Sequence, residues 1–505
     1  MTRYLLGVDV GTGSTKGVLV GPDGTVVATA SRPHAMSLPR PRWAEMDAEA
    51  DWWGDAVAVI AELADGVDAA AIGGVCVSGL GPCLLMGDAS DRPLRPGILY
   101  GIDMRATQEI AELTERYGAE AILARCGKEL STQAVGPKLL WVRRHEPEVW
   151  ERVRRWYSSH SFVVARLTGE YVLDHHTASQ NDPLYDLDAN DWAEDWADDV
   201  APGLERPRLA WPTEVVGEVT PAAAEQTGLR AGTPVCAGTV DAWAESFSAG
   251  VRAPGELMLM YGSTMFLVQV AASSRAHPGL WTTAGVEAGS HTLAAGMATS
   301  GSLTTWVQEL TGGAPFAQLV AEAAQTPAGA DGLVVLPYFA GERTPIFDPE
   351  ARGVVAGLTL RHRRGHVLRA VYEGIAYGIR QILELLEEAA APASRVVAVG
   401  GGTQGGLWTQ IVTDVTGREQ LLPVETIGAS YGDALMAAIG TGMVAPETDW
   451  ARVANRLVPD PGLRGVYDEL YATYRELYPA TKEQVHRLAA VQELSPAMPD
   501  PGAAP

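Results

Sequence analysis

The sequence predicts an α/β protein built in two halves. Three observations carry this. Strand-like apolar runs flank a Gly- and hydroxyl-rich turn at residues 4–20. A coarse echo of the pattern returns at 255–270. Helix-period and strand-period segments follow each opening.

In the first half, residues 4–10 and 17–20 read as strands, and "GPDG" (21–24) as a hairpin turn. Helical periodicity marks 45–64, 104–117, 137–155 and 158–167, with a buried strand "AIGGVCVSG" at 71–79. The second half opens on "GELMLMYGSTMFLVQV" (255–270). It continues with a long helix at 366–389, a strand at 395–399 and a helix at 407–416. The boundary falls near "AGVRAPGE", giving domains of 1–250 and 251–490 and a Pro- and Ala-rich tail, 491–505, that reads as disordered.

The chain of 505 residues is 47% apolar and carries a net charge of -24. The length allows two or three domains. The acidity excludes nucleic acid as a partner, because phosphate backbones need a basic face. Four scattered cysteines read as reduced thiols of a cytoplasmic protein, and no apolar run suits a membrane span or signal peptide.

The turn "LGVDVGTGSTKG" (6–17) exposes backbone N–H groups from Gly11 and Gly13, hydroxyls from Thr12, Ser14 and Thr15, and the charge of Lys16. It fits neither the P-loop, where Gly precedes Lys, nor the dinucleotide fingerprint, whose third Gly would fall at Lys16. Asp9 beside such a cradle repels phosphate unless a cation intervenes, which points to Mg²⁺ on Asp9. A plain hairpin is the alternative.

Other matches carry less. "GASYG" (428–432) has the nucleophile-elbow pattern, but the only later histidine is His486. Residues 186–197 begin like an EF-hand loop and then fail at Asp191 and Ala197. The eight acids of 181–200 read as a solvated face, and His175 and His176 as surface or cleft-edge residues.

The opening pattern resembles that of the FGGY family of carbohydrate kinases, Asp-x-Gly-Thr-x-Ser-x-basic, here Asp9, Gly11, Thr12, Ser14 and Lys16. "GVVAGLTLRHRRGHVLRAVYE" (353–373) resembles the family's second signature, from Gly353 through Gly357 and His366 to Glu373. "PYFAGERTPIFDPEARG", "RWAEMDAEADWW" and "RLTGEYVLDHHTAS" extend the likeness over roughly residues 4–485.

The resemblance implies two actin-like (ribonuclease H-like) ATPase lobes with a nucleotide and sugar cleft between them. It implies ATP and Mg²⁺, a small sugar substrate and a homodimer. Asp241, in "VCAGTVDAWAESF", takes the family's place of the base that accepts the hydroxyl proton; a helix N-cap is the alternative. Gly262, Ser263 and Thr264 resemble the second phosphate loop. Gly401, Gly402 and Gln404 stand where the family packs against adenosine, with Trp408 read as core. On the sugar side stand Leu80, Gly81 and Pro82 of "SGLGPC", where xylulokinase-like members have Gly-Gln-Met-His-Gly. The apolar wall puts plain D-xylulose in doubt and suits a deoxy sugar, another ketose or a polyol. Asp103 is the expected hydroxyl acceptor, supported by Arg105, with a structural ion pair as alternative; Trp43 and Glu45 are weaker candidates. Rival readings are an actin-fold ATPase driving a protein partner and a catalytically silent sugar sensor.

Overall fold

The computed structural model describes residues 3–493 apart from Arg275, Ala391 and Thr426. The described chain forms two compact units. One holds the residues up to Glu256 with Val268–Leu293 and Val424–Arg452; the other holds Leu257–Leu267, Ala294–Pro423 and the chain from Val453 onward. The first unit therefore also takes two short segments from beyond the expected boundary near residue 250. The expected tail at 491 also starts late: the last helix runs Arg464–Glu493, and the rest of the tail lies outside the described residues.

The first unit's sheet runs Val215–Glu218, Pro234–Cys236, Ile72–Gly79, Tyr4–Val10, Ser14–Val20, Val26–Pro33. Tyr4–Val10 is antiparallel to Ser14–Val20 with Asp9 opposite Lys16, and parallel to Ile72–Gly79 with Asp9 opposite Ser78. The turn is thus a hairpin, closed by Gly11 N–H donating to Ser14 O at 3.1 Å. The second sheet runs Trp281–Ala284, His291–Met297, Met265–Ala271, Glu256–Tyr261, Arg395–Val399, Gln420–Pro423, Val453–Leu457. Each sheet places its opening strand between its second strand and a much later one, so the coarse echo in sequence is an echo in topology.

Most expected elements form, with two shifts. Residues 45–64 open with a short strand, Glu45–Met46, and reach regular α-helix only at Asp55–Asp65. The span 137–155 breaks after Val135–His145, because Pro147 cannot continue a helix, and Arg155–Tyr157 is a strand. The second family signature has a structural part. Glu373 Oε1 accepts from Gly329 N–H and Arg369 Nε, tying the long helix Arg364–Ala389 to a neighbouring loop. Gly357 has φ +93 and stands where a Cβ would meet Gly332 O at 2.3 Å.

The helix Ala429–Gly440 explains why a late stretch belongs to the first unit. Its small residues let it lie directly on the opening strand. A Cβ on Gly7 would sit 1.9 Å from Ser430 O, and one on Gly432 would sit 2.0 Å from Ala244 O. "GASYG" is therefore a packing motif, with Ser430 buried. Gly13, by contrast, faces open space. Gly7→Ala should cost at least ~1–3 kcal/mol through overpacking and lower the melting temperature by several degrees, while Gly13→Ala leaves it within about one degree. Equal effects of the two would contradict this packing.

Candidate active site

Four carboxylates gather at the strand ends of the first unit. Asp9 lies near the end of the opening strand, and Asp241 begins the helix Asp241–Ser248 just after a bridge between Gly79 and Val240. Asp241 is the first helical residue rather than the N-cap, and its Oδ1 accepts only from Ala242 N–H, at 2.7 Å. Glu245 follows one turn later on the same helix face. Asp433, on Ala429–Gly440, is fully buried and accepts from Ser78 Oγ at 2.6 Å.

These groups perturb one another. Burial and then the charge of Asp9 push Asp241 up to about 8. Burial raises Asp9 to about 6, against the pull of Lys16 and His34. Burial and Asp9 raise Glu245 to about 7. Asp433 is pushed well above the carboxylate range by burial, with Asp9 and Asp241 adding to it. Sequence reading missed Glu245 and Asp433. The i, i+4 spacing in "DAWAE" signals the first; nothing local signals the second.

The hairpin loop is held from several sides. His34 Nε2 meets Gly11 O and Nδ1 meets Asp55 Oδ2, both at 2.8 Å, so the ring donates to a carbonyl and a carboxylate. His34 N–H also donates to Gly13 O at 3.1 Å. Thr12 Oγ1 and Tyr100 OH are 3.1 Å apart. Asp9 Oδ1 and Thr15 Oγ1 are buried with no hydrogen-bond partner. The register pairs Asp9 with Lys16 and Thr15 with Val10, so Thr15 leaves the opposite face of the hairpin; the unpartnered Asp9 carboxylate oxygen is the feature that fits a cation, and among the described residues no three His, Cys, Asp or Glu side chains cluster as a complete metal site. The strand end bearing Asp241 has its own support: Asp174 accepts from Thr239 Oγ1 at 2.8 Å and pairs with His160.

The other sugar-side candidates form one scaffold. Leu80 and Pro82 are buried, and Leu80 N–H donates to Val10 O. Asp103 does not present a free acceptor. Its oxygens already take Ala44 N–H, Arg105 N–H and the Arg105 guanidinium, which favours the ion-pair alternative. Arg105 also pairs with Glu45 at 2.8 Å and lies over Trp43 at 4.0 Å. His176 corrects the surface reading: it is fully buried, bonded to Ala284 O and Gln180 and packed on Trp243. The acids of helix Glu194–Val200 are mostly exposed but paired, with Arg116, Arg125 and Arg206.

The second unit holds a cavity of about 700 Å³ lined by Gly262, Ser263, Gly401, Gly402 and Gln404 together with Trp408. Thr264 lies in the same hairpin, its carbonyl accepting from Gly262 N–H. Trp408 is core, 5% exposed and stacked on Tyr372, yet it also walls the cavity. Sequence reading missed Phe316 and Val320, which complete an apolar side. A Cβ on Gly402 would meet the Trp408 ring at 2.6 Å, so glycine there sets the cavity's depth. A flat apolar slot beside Gly-rich turns suits an aromatic ligand with a polar tail.

A Gly- and hydroxyl-rich hairpin, buried carboxylates at the adjoining strand ends and a sheet order repeated in two sheets are the frame in which the family match falls: the chain belongs to the FGGY family of carbohydrate kinases. The family's N-terminal domain matches residues 4–248 and its C-terminal domain matches 257–441. The chain is 36% identical to xylulose kinase from Rhodospirillum rubrum, whose crystal structure superposes with a TM-score of 0.89 over 96% of this chain and 100% of that one. It is 28% identical to xylulose kinase of Bacillus subtilis over 95% of this chain and 98% of the relative. It is 29% identical to xylulose kinase of Escherichia coli over 94% and 98% respectively. It is an ATP-dependent, xylulokinase-like enzyme.

Carboxylates raised in the folded state hold protons that the unfolded chain releases. Their stabilisation is present at low pH and is lost as pH climbs from the ordinary carboxylate range through about 8. The melting temperature of the ligand-free protein should therefore fall between pH 5 and pH 8, by ~several degrees, and Asp241→Asn should flatten that slope. A slope that survives Asp241→Asn unchanged would remove Asp241 from the coupled group.

Proposed function

We propose that the chain transfers the γ-phosphoryl group of ATP to a hydroxyl of a neutral ketose or polyol, with D-xylulose the first candidate and Asp241 as general base. The observation that supports this best is Asp241 set among Asp9, Glu245 and the hairpin loop, at one end of one sheet. Three similar proteins named xylulose kinases support the sugar class. The apolar Leu80 and Pro82 set this wall apart from the xylulokinase-like pattern, so related ketoses and polyols are tested beside D-xylulose.

In this reading the second unit's cavity takes the adenosine, between Gly401–Gln404 and the apolar wall of Phe316 and Val320. Within the second unit, the hairpin turn at 262–264 beside that cavity takes phosphate oxygens; on the first unit, the turn at 12–14 offers hydroxyl and backbone donors to phosphate and Lys16 adds a charge. Asp9 and waters would hold Mg²⁺, which supplies charge neutralisation at the phosphates. Asp241 accepts the proton of the attacking hydroxyl at its free oxygen, the other being fixed by Ala242 N–H. The charge of Asp9 is one of the influences that raise Asp241 and that of Lys16 opposes it, so a cation held on Asp9 would offset the first of these and favour the base form of Asp241. Burial raises Asp433, behind the strand, well above the ordinary carboxylate value, against the hydrogen bond from Ser78.

Asp241→Asn should cut turnover by ~10²–10⁴-fold while nucleotide affinity, read by calorimetry, stays within about threefold. Asp9→Asn should raise the Mg²⁺ concentration needed for half-maximal rate and leave the sugar KM in place. ADP release measured over pentuloses, hexuloses, pentoses and polyols should be fastest with a pentulose. Release with none of them, or undiminished turnover by Asp241→Asn, would overturn the proposal.

A further inference from the structure

One buried charge has no part in this chemistry. Lys138, on helix Val135–His145, is 1% exposed, and its ammonium has no hydrogen-bond partner. Three N–H donors held out of water with no acceptor are costly. The chain does not treat its other buried lysine this way. Lys128 Nζ donates to the carbonyls of Cys126, Ser179 and Thr282 and pairs with Asp182 at 3.1 Å. Lys138 is left bare in a core that satisfies its counterpart four times.

Its place in the fold is specific. The groups acting on Lys138 are Cys83, Asp103 and Arg105. Cys83 in turn feels both Lys138 and Asp241, so the ammonium and the proposed base bear on the same thiol. The segment Leu80–Cys83 offers apolar side chains, and Asp103 is already saturated by Ala44 and Arg105. Asp103 is therefore no partner for the lysine, and Leu80 and Pro82 are no donors to a sugar. Among the described residues, the ammonium is an unspent donor in the neighbourhood of Cys83 and Asp103.

The charges around it indicate what it receives. Arg95 and Arg105 pair with Glu45, Asp103 and Glu146, two cations against three carboxylates. Lys138 makes the third cation, so the group is balanced without a ligand charge. Burial lowers the Lys138 ammonium to about 8, as expected where acceptors are lacking.

We propose that Lys138 is the sugar anchor of this enzyme: its ammonium donates to a carbonyl or hydroxyl oxygen of a neutral sugar, other than the oxygen that faces Asp241. The lysine stands in for the polar side chains that Leu80 and Pro82 do not provide, and it favours a sugar with an oxygen at that point over a deoxy analogue. This rests on the sugar-kinase reading of Asp241.

The test is Lys138→Met, which keeps length and removes the charge. The sugar KM should rise at least tenfold, the ATP KM should stay within twofold, and the melting temperature should change by no more than a few degrees, because three unsatisfied donors are removed together with one cation of the group. Lys138→Gln, which restores a donor, should recover part of kcat/KM. Across monodeoxy analogues of the best sugar, one should lose affinity for the wild type and lose none for Lys138→Met. A sugar KM within twofold of wild type would overturn the proposal, as would a larger fall in melting temperature with both KM values moving together. Lys138 dependence seen only with sugar acids would overturn the neutral-sugar assignment. If Lys138→Met does not fold, the deoxy series is read on Lys138→Gln, and a series that tracks wild type overturns the proposal. Failure of the underlying reading looks different: the wild type would then bind and phosphorylate no sugar at all.

Discussion

Like charges crowded into a dry place repel and resist ionisation, and the first unit is organised around holding such a crowd. Asp9, Asp241, Glu245 and Asp433 come from three separate stretches of chain; each is raised mainly by burial, and the charge of Asp9 adds to the rise of the other three while Lys16 and His34 pull Asp9 itself down. The arrangement is tolerable because protons can be kept while the site is empty. Cationic company can then draw them off. The supports described here, His34 on the loop and Asp174 on Thr239, fix where each charge stands. Coulomb energies vary with distance, so a loose scaffold would blunt the coupling.

The crowd depends on close backbone approach. The opening strand and the helix Ala429–Gly440 meet at Gly7 and Ser430 with no room for a side chain, and Gly432 brings the same helix equally close to Ala244 of the helix Asp241–Ser248. The contact at Gly7 brings Asp433 within reach of Ser78, on the strand next to Asp9. A motif that matches a hydrolase elbow as a string of letters is here a small-residue surface. The same letters serve two physical purposes, and only burial tells them apart.

Much of this was legible beforehand. The hairpin and the strand feeding it follow from residue types at short spacing, where local physics governs, whereas Asp241 was singled out by the family resemblance and not by its spacing. Asp9 was found because a carboxylate next to a phosphate cradle is an electrostatic anomaly. What stayed hidden depends on chain returning from far away. Asp433 is one polar residue in a helix of small apolar ones, and its partner is 355 positions distant. His176 was misread because a polar residue in sequence carries no mark of its burial; stacking on Trp243 decides it. Asp103 looked like an acceptor until Ala44 and Arg105 were seen to occupy it. Phe316 and Val320 looked like ordinary helix residues because the cavity they line is made by other segments.

The threading of residues 424–452 back into the first unit has a bearing on synthesis. A ribosome releases the chain from its N-terminus, so the opening sheet emerges long before the helix that covers it. Until about residue 440 has appeared, the face at Gly7 lacks its partner, and the unit's longest-range contacts cannot form. The first half is thus obliged to wait, half-dressed, for the end of its own message, and premature termination anywhere before that helix leaves an apolar strand face for chaperones or proteases to find.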